Sequence, residues 1–162
     1  MQRVGLVKQN DLTSASKCFR RVEEGLRLEG LPPLPFASLE ELKDTTLYCL
    51  KEGARVIALS AITSETGLSN NTLYEAGYQG ERVCLISLLA IDPAFERKGI
   101  ARVFLRDLLS FYRETTFFAY LNPRNPRALH FFQKAGFILL DPAKSLYSRP
   151  YQKTGLCREG KW

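Results

Sequence analysis

The sequence predicts a mixed α/β fold: a single domain over residues 1–162, with a central mixed sheet flanked by about four helices. Three observations carry that prediction. The length of 162 residues is close to what one domain takes. The chain is 45% hydrophobic and 25% charged, which excludes a disordered chain, a collagen-like repeat and a coiled coil. Strand-like and helix-like hydrophobic periods alternate in the order β-α-α-β-β-β-α-β-α-β.

Residues 3–7 form a short extended run. From Asp11, a residue type that caps helices, Leu12, Ala15, Phe19, Val22 and Leu26 recur at helical spacing. They predict an amphipathic helix that stops near Gly25 or Gly30. The prolines of 31–36 (LPPLPF) break regular structure, and Ser38 with Glu41 has capping-box spacing, predicting a short helix over 39–43. The β-rich runs 46–51 and 55–62 flank Glu52-Gly53-Ala54 and read as a hairpin. Segment 64–81 has no usable period, which predicts a long loop acting as a lid or binding segment. Residues 83–91 are nearly all apolar and predict a central strand covered on both faces.

A helix follows from about Gly99, with Ile100, Phe104, Leu108 and Phe111 on one apolar stripe, and 115–121 is the next strand. The stripe and the Phe117/Phe118 pair are core candidates. Asn125-Pro126 opens a last helix, with Asn at the cap and Pro at the first helical position, and Gly136 stops it. Residues 137–140 form a strand. The remainder, with Pro142 and Pro150, predicts an edge strand and a frayed tail at 153–162.

Cys18, Cys49, Cys84 and Cys157 lack zinc-site spacing, and the lone His130 cannot complete a Cys/His cluster, so no metal is expected. His130 itself is expected on an outer helix face. Lys and Arg number 23 against 17 Asp and Glu, a net charge of +6 that suits an anionic ligand or plain solubility. The basic residues are dispersed and no recognition motif accompanies them, so no nucleic-acid partner is expected. No apolar run approaches the ~20 residues of a membrane helix, and MQRVGLVKQN lacks the core of a signal peptide. A cytoplasmic protein without a membrane partner is the expectation.

The stretch 89–102 (LAIDPAFERKGIAR) carries the chemistry. A strand runs through a tight turn into a helix, whose first N–H groups have no partner within the helix. The helix dipole adds about half a positive charge there. Gly99 and Ala101 keep the approach clear, and Arg97, Lys98 and Arg102 add charge. The ensemble suits a pyrophosphate. On these features alone, a small-residue helix start with solvated cations is the simpler reading.

A second stretch, Asn125-Pro126-Arg127-Ala128 continuing to Lys134-Ala135-Gly136-Phe137, lies downstream. The pair resembles motifs A and B of the GNAT superfamily of acyl-CoA-dependent N-acetyltransferases. The motif A pattern Gln/Arg-x-x-Gly-x-Gly/Ala is met by Gly99 and Ala101. The motif B pattern Asn-x-x-Ala-x-x-x-Tyr-x-Lys-x-Gly-Phe is met by Asn125, Ala128, Lys134, Gly136 and Phe137. Specific matches span 89–137, and the element order agrees over nearly the whole chain.

The resemblance implies acetyl-CoA as co-substrate, contacted by Leu89, Ile91, Arg97, Lys98, Gly99, Ile100, Ala101, Arg102, Asn125, Ala128 and Phe132. The backbone of Leu89 and Ile91 would pair with the pantetheine arm like a further strand. The acceptor would be a primary amine on a small molecule or peptide, and the assembly a monomer or homodimer. Segments 26–36 and 64–81, the latter with Tyr74 and Tyr78, are expected to form the acceptor side. Glu23, Glu24, Glu29 and Glu75 nearby favour a cationic amine.

Two positions depart from the pattern. Glu96 stands where the family has Gln or Arg, and Phe132 replaces the tyrosine that often protonates the departing thiolate. No general base or acid is identified. Glu81, Ser87, Tyr120 and Tyr147 are the candidates, with Tyr151 a further tyrosine in reach of the motif's missing role. A degenerate acyl-CoA-binding sensor or interaction module is the alternative reading.

Overall fold

The computed structural model describes residues 4–64, 67–75, 78 and 82–151. Among them run β1 (Val4–Leu6), α1 (Leu12–Leu28), β2 (Thr46–Glu52), β3 (Arg55–Thr63), α2 (Asn70–Glu75), β4 (Arg82–Ile91), α3 (Ile100–Ser110), β5 (Thr115–Tyr120), α4 (Pro126–Lys134), β6 (Ile138–Asp141) and β7 (Leu146–Arg149). The strands form one seven-stranded sheet in the order β1-β2-β3-β4-β5-β7-β6. β4 and β5 are parallel, while β1/β2, β2/β3, β5/β7 and β6/β7 are antiparallel. The fold is therefore the mixed α/β class expected. Two compact units divide the chain, Met1–Ile62 with Leu88–Phe111 and Thr63–Ser87 with Tyr112–Trp162, so β4 supplies residues to both.

In the first unit, Ala15, Cys18, Phe19 and Val22 of α1 are buried against Cys49, Val56, Leu59, Ala61, Leu88 and Ala90. Each fully buried large side chain contributes roughly 1.5–3 kcal/mol. Gly25 does not stop α1, which continues to Leu28. A Cβ on Gly25 would lie 2.7 Å from Pro93 Cγ, so this glycine serves close approach rather than termination. Asp11 precedes α1 without a side-chain cap bond. Its carboxylate instead accepts from Lys8 N–H at 2.9 Å and Lys51 Nζ at 3.1 Å. The Ser38/Glu41 capping box is present, on a 3₁₀ turn at Leu39–Leu42. Phe104, Leu105 and Leu108 of α3 are wholly buried. Phe111 corrects the expected stripe: α3 ends at Ser110, and Phe111 stays half exposed with its ring 5.8 Å from that of Tyr48.

In the second unit, Phe117 and Phe118 are core, as expected. Segment 64–81 is not uniformly a loop, because it contains α2. That helix buries no residue fully, although Leu73 packs partly against Phe118 and Leu146, and the Ser69 hydroxyl accepts from Thr72 N–H at 3.2 Å. The edge strand was expected at the C-terminal end, but β7 lies between β5 and β6, and β6 is the edge. Ser145, at φ 52°, reverses the chain after Pro142 and lets β7 insert beside β5. Gly136, at φ 96°, ends α4 beside Arg149, whose Nε donates to Ala135 C=O at 2.9 Å. The segment 153–162 and Cys157 lie outside the described residues. Among the described residues no helix is long and apolar enough to cross a membrane.

β4 also differs from expectation. Cys84, Ile86, Leu88 and Ala90 are buried, while the alternating Val83, Leu85, Ser87, Leu89 and Ile91 remain partly open. A strand with apolar residues on both sides has only one side fully covered by protein.

Candidate functional site

β4 ends at Ile91, and the next eight residues form a turn with an unusual backbone. Asp92 caps a 3₁₀ turn, Pro93–Phe95, by accepting Ala94 N–H on Oδ1 at 3.0 Å. Arg97 then takes φ 62° and Gly99 φ 75°, two left-handed residues within three. Gly99 occupies the N-cap of α3 and supplies no side-chain acceptor. Val103 N–H reaches Gly99 C=O at 3.2 Å, so Ile100 and Ala101 belong to the first turn, whose N–H groups have no acceptor further back in the helix. A Cβ on Gly99 would meet nothing within 4 Å, so the turn opens onto clear space. Arg97, Lys98 and Arg102 are exposed around it, and Glu96 is half-buried. Clear space, outward N–H groups and cations are what a pyrophosphate requires.

Leu89 and Ile91 sit on the partly open face of β4, while Leu88 and Ala90 point into the core. The carbonyl of Leu88 accepts from the buried Ser60 hydroxyl at 2.7 Å. The pieces expected to meet a pantetheine arm are thus on a strand anchored on its opposite face.

A buried carboxylate with two partly exposed arginines underlies the turn. Asp92 is 1% exposed, and its Oδ2 accepts from Arg21 Nε at 2.6 Å and Arg55 Nη2 at 3.0 Å. Burial alone would raise the Asp92 pKa, but Ala94 N–H and the two guanidiniums outweigh it and hold the carboxyl below its ordinary value. Arg55 also lies over the Phe95 ring, 5.2 Å from its centroid, and Lys98 Nζ lies 5.5 Å from the same centroid. Sequence reasoning missed Arg21, Arg55 and Phe95. The Asp-Pro pair could have marked Asp92 as a cap, but no spacing links it to arginines 71 and 37 residues away.

Cys18 packs beside this cluster, and burial, followed by the charge of Asp92, pushes its thiol up to about 12. It is an apolar filler, not a nucleophile. Cys49 and Cys84 are likewise buried and free, each with its thiol raised by burial.

In the other unit, Asn125 caps α4 through Oδ1, which accepts Ala128 N–H at 3.2 Å. Phe132 is 6% exposed and packs edge-to-face on Phe131 and Phe137, with centroids 5.5 and 5.1 Å away. His130 is exposed, as expected. The candidate acids and bases separate. The parallel register pairs Leu85 with Phe118, which puts Ser87 and Tyr120 on one sheet face. Tyr147 pairs with Ala119 and is buried on the opposite face. Glu81 lies outside the described residues. Tyr120 is half exposed, while Tyr151 gives its N–H to Thr116 Oγ1 at 3.0 Å.

Residues 14–137 match the Acetyltransferase (GNAT) family, and the chain belongs to it. No curated protein matches the chain. Among solved structures, a GNAT-family acetyltransferase from Streptococcus agalactiae aligns with a TM-score of 0.72 at 12% identity, covering 94% of this chain and 96% of that one. The ribosomal-protein-S18-alanine N-acetyltransferase of Escherichia coli aligns with a TM-score of 0.62 at 12% identity, covering 96% and 99%. A PaiA N-acetyltransferase from Thermoplasma acidophilum, solved with coenzyme A, gives 0.65 at 11% identity, covering 93% and 99%. At such identities the likeness is one of fold.

Proposed function

We propose that this protein is an N-acetyltransferase that moves acetyl from acetyl-CoA to a primary amine by direct attack of the amine on the thioester. The observation that carries this reading is the turn at the end of β4, left-handed at Arg97 and Gly99 and open above Gly99, in a chain of the GNAT family. The turn and the first N–H groups of α3 would hold the pyrophosphate, with Arg97, Lys98 and Arg102 adding charge. The backbone of Leu89 and Ile91, on the partly open face of β4, would pair with the pantetheine arm. The motif alone supports cofactor contacts by Asn125, Ala128 and Phe132. The proposed setting is the cytoplasm, with a small-molecule or peptide amine as partner.

A lysine-like amine with a pKa near ~10.4 is neutral in about four molecules per ten thousand at pH 7, a deficit of roughly 4.6 kcal/mol. A base or water relay that removes the ammonium proton therefore accelerates the reaction. The neutral nitrogen forms the C–N bond, a strand N–H stabilises the oxyanion, and collapse breaks the C–S bond. The proton lost by nitrogen is returned, through solvent or a side chain, to the departing thiolate. A thiol with a pKa near ~8.5 leaves without a strong acid, so the Phe132 position does not forbid turnover.

The burial of Phe132 in an aromatic cluster favours one second reading, an acyl-CoA-binding module without turnover. Thiol release from acetyl-CoA, tested with polyamines, aminoglycosides, amino acids, lysine peptides and peptides bearing a free N-terminus, separates the two. Turnover on any acceptor establishes the enzyme. A melting shift with acetyl-CoA but no thiol release, from wild type and Phe132→Tyr alike, establishes the binding module.

A further inference from the structure

We propose that Asp92 is a positioning residue for coenzyme A binding: one buried carboxylate, shared between α1 and β3, fixes the turn that receives the pyrophosphate. The inference rests on the cofactor reading above. Every polar atom of Asp92 is engaged. Its N–H donates to Ile57 C=O at 2.8 Å and its C=O accepts Phe95 N–H at 2.8 Å. Oδ1 takes Ala94 N–H, and Oδ2 takes both Arg21 and Arg55. The start of the turn is thereby pinned to α1 through Arg21 and to β3 through Arg55 and Ile57. Gly25, one helical turn after Arg21 on α1, adds a second grip by close contact with Pro93.

The link continues outward. Arg55, held by Asp92, lies over Phe95, and the same ring carries Lys98, the exposed cation immediately before Gly99. A chain of contacts thus runs from the buried carboxylate through Arg55 and Phe95 to the rim of the open turn. A carboxylate taken out of water is a poor device for stability alone, since an apolar side chain at such a position often does as well. What the charges add here is direction: they fix where Asp92 lies, and with it Ala94 and Phe95 at the start of the turn, and a turn misplaced by a fraction of an ångström loses its fit to the ligand.

The test is the dissociation constant for coenzyme A itself, measured calorimetrically at 15 °C on wild type, Asp92→Asn, Arg55→Met and Arg55→Lys, with melting curves for each. At that temperature a stably folded variant is almost fully native, so a changed affinity is not a changed folded fraction. Asp92→Asn keeps the size and removes the charge, and binding should weaken about tenfold or more. Arg55→Met should weaken binding at least about threefold, and Arg55→Lys, which restores a cation to Asp92 and Phe95, should recover most of it. A cooperatively folded Asp92→Asn that binds within twofold of wild type overturns the proposal. If Asp92→Asn does not fold, the Arg55 pair decides, and an unchanged affinity in Arg55→Met overturns it equally. Failure of the wild type to bind coenzyme A overturns the cofactor reading, a result distinct from either.

Discussion

The starts of α3 and α4, each following a strand of the parallel pair β4/β5, are finished in opposite ways. At α4, Asn125 closes the first turn with its own side chain, and Pro126 at the first helical position removes an N–H that would otherwise need a partner. Such a cap is worth about 1 kcal/mol. At α3 the cap residue is Gly99, with no side chain to offer, and Arg97 adopts a left-handed conformation that costs on the order of 1–3 kcal/mol in a non-glycine residue. The chain satisfies one helix start internally. It leaves the other open, strained and ringed by exposed Arg97, Lys98 and Arg102. A start that forgoes its cap and tolerates strain is the feature on which the proposed pyrophosphate site rests, and it supports that proposal more directly than the net charge does.

The largest effect that can break the contrast is Gly99→Val. At acetyl-CoA 100 times its dissociation constant, wild type should gain about 2.7 kcal/mol, a melting shift of roughly 5–10 °C. Gly99→Val should abolish that shift, because the new side chain projects into the open space and strains the φ of 75°. A retained shift would place the pyrophosphate elsewhere. Acid should come next, because the two junctions depend on pH differently. Asp92 has a pKa held below 3.8, so its stabilisation is fully present above that value and is lost as pH falls through the lower, folded-state pKa. Asn125 does not titrate. Between pH 5 and pH 2, hydrogen exchange should show Ala94 N–H losing protection before Ala128 N–H, and equal loss at both would contradict the assignment of Asp92.

The legible parts of the molecule were those written in local sequence. The hairpin, both long helices, the α4 cap and the Gly99 turn each follow from a period or a residue type within a few positions. The errors share a different cause. β7 has the sequence of an edge strand yet lies inside the sheet, because strand order is set by which distant strands pair, and the chain reversal at Ser145 leaves no period to read. Of the two glycines that could stop α1, Gly30, at φ 68°, follows its end, whereas Gly25 lies inside it: a glycine needed for contact with Pro93 looks in sequence the same as one needed for termination. α2 was missed because six residues that bury nothing fully have no apolar stripe. At the candidate site the Gly99 turn is legible in the sequence and the side chains that support it are not, since Arg21, Arg55 and Asp92 meet only in three dimensions.

Asn125→Ala tests the capped side of the contrast. Without ligand it should destabilise the protein by about 1 kcal/mol, the ordinary cost of losing an asparagine cap, lowering the melting temperature by roughly 2–4 °C. Its acetyl-CoA shift should shrink less than that of Gly99→Val, since the motif assigns Asn125 a contact but the geometry already gives its Oδ1 to Ala128 N–H. A complete loss of the shift would make the amide of Asn125 a principal cofactor ligand and reverse the ranking of the two junctions.

The smallest effect is the most diagnostic of strain. Arg97 holds φ 62° without the freedom of a glycine. Replacing it by Gly removes the left-handed penalty of roughly 1–2 kcal/mol, while a more flexible unfolded chain takes part of that gain back. The net expectation for Arg97→Gly is a stabilisation of about 0.5–1 kcal/mol, seen as a rise of roughly 1–4 °C in melting temperature. Affinity for coenzyme A should move the other way, falling a few-fold as an exposed cation worth about 0.2–1 kcal/mol is lost. The dependence of binding on salt should flatten with it, because the lost term is the one that ions screen. Opposite signs for stability and affinity are the signature of a residue kept in strain for its charge. A variant that loses both together would show that the Arg97 side chain holds the turn in place, and the open start of α3 would then be supported by contacts rather than strained.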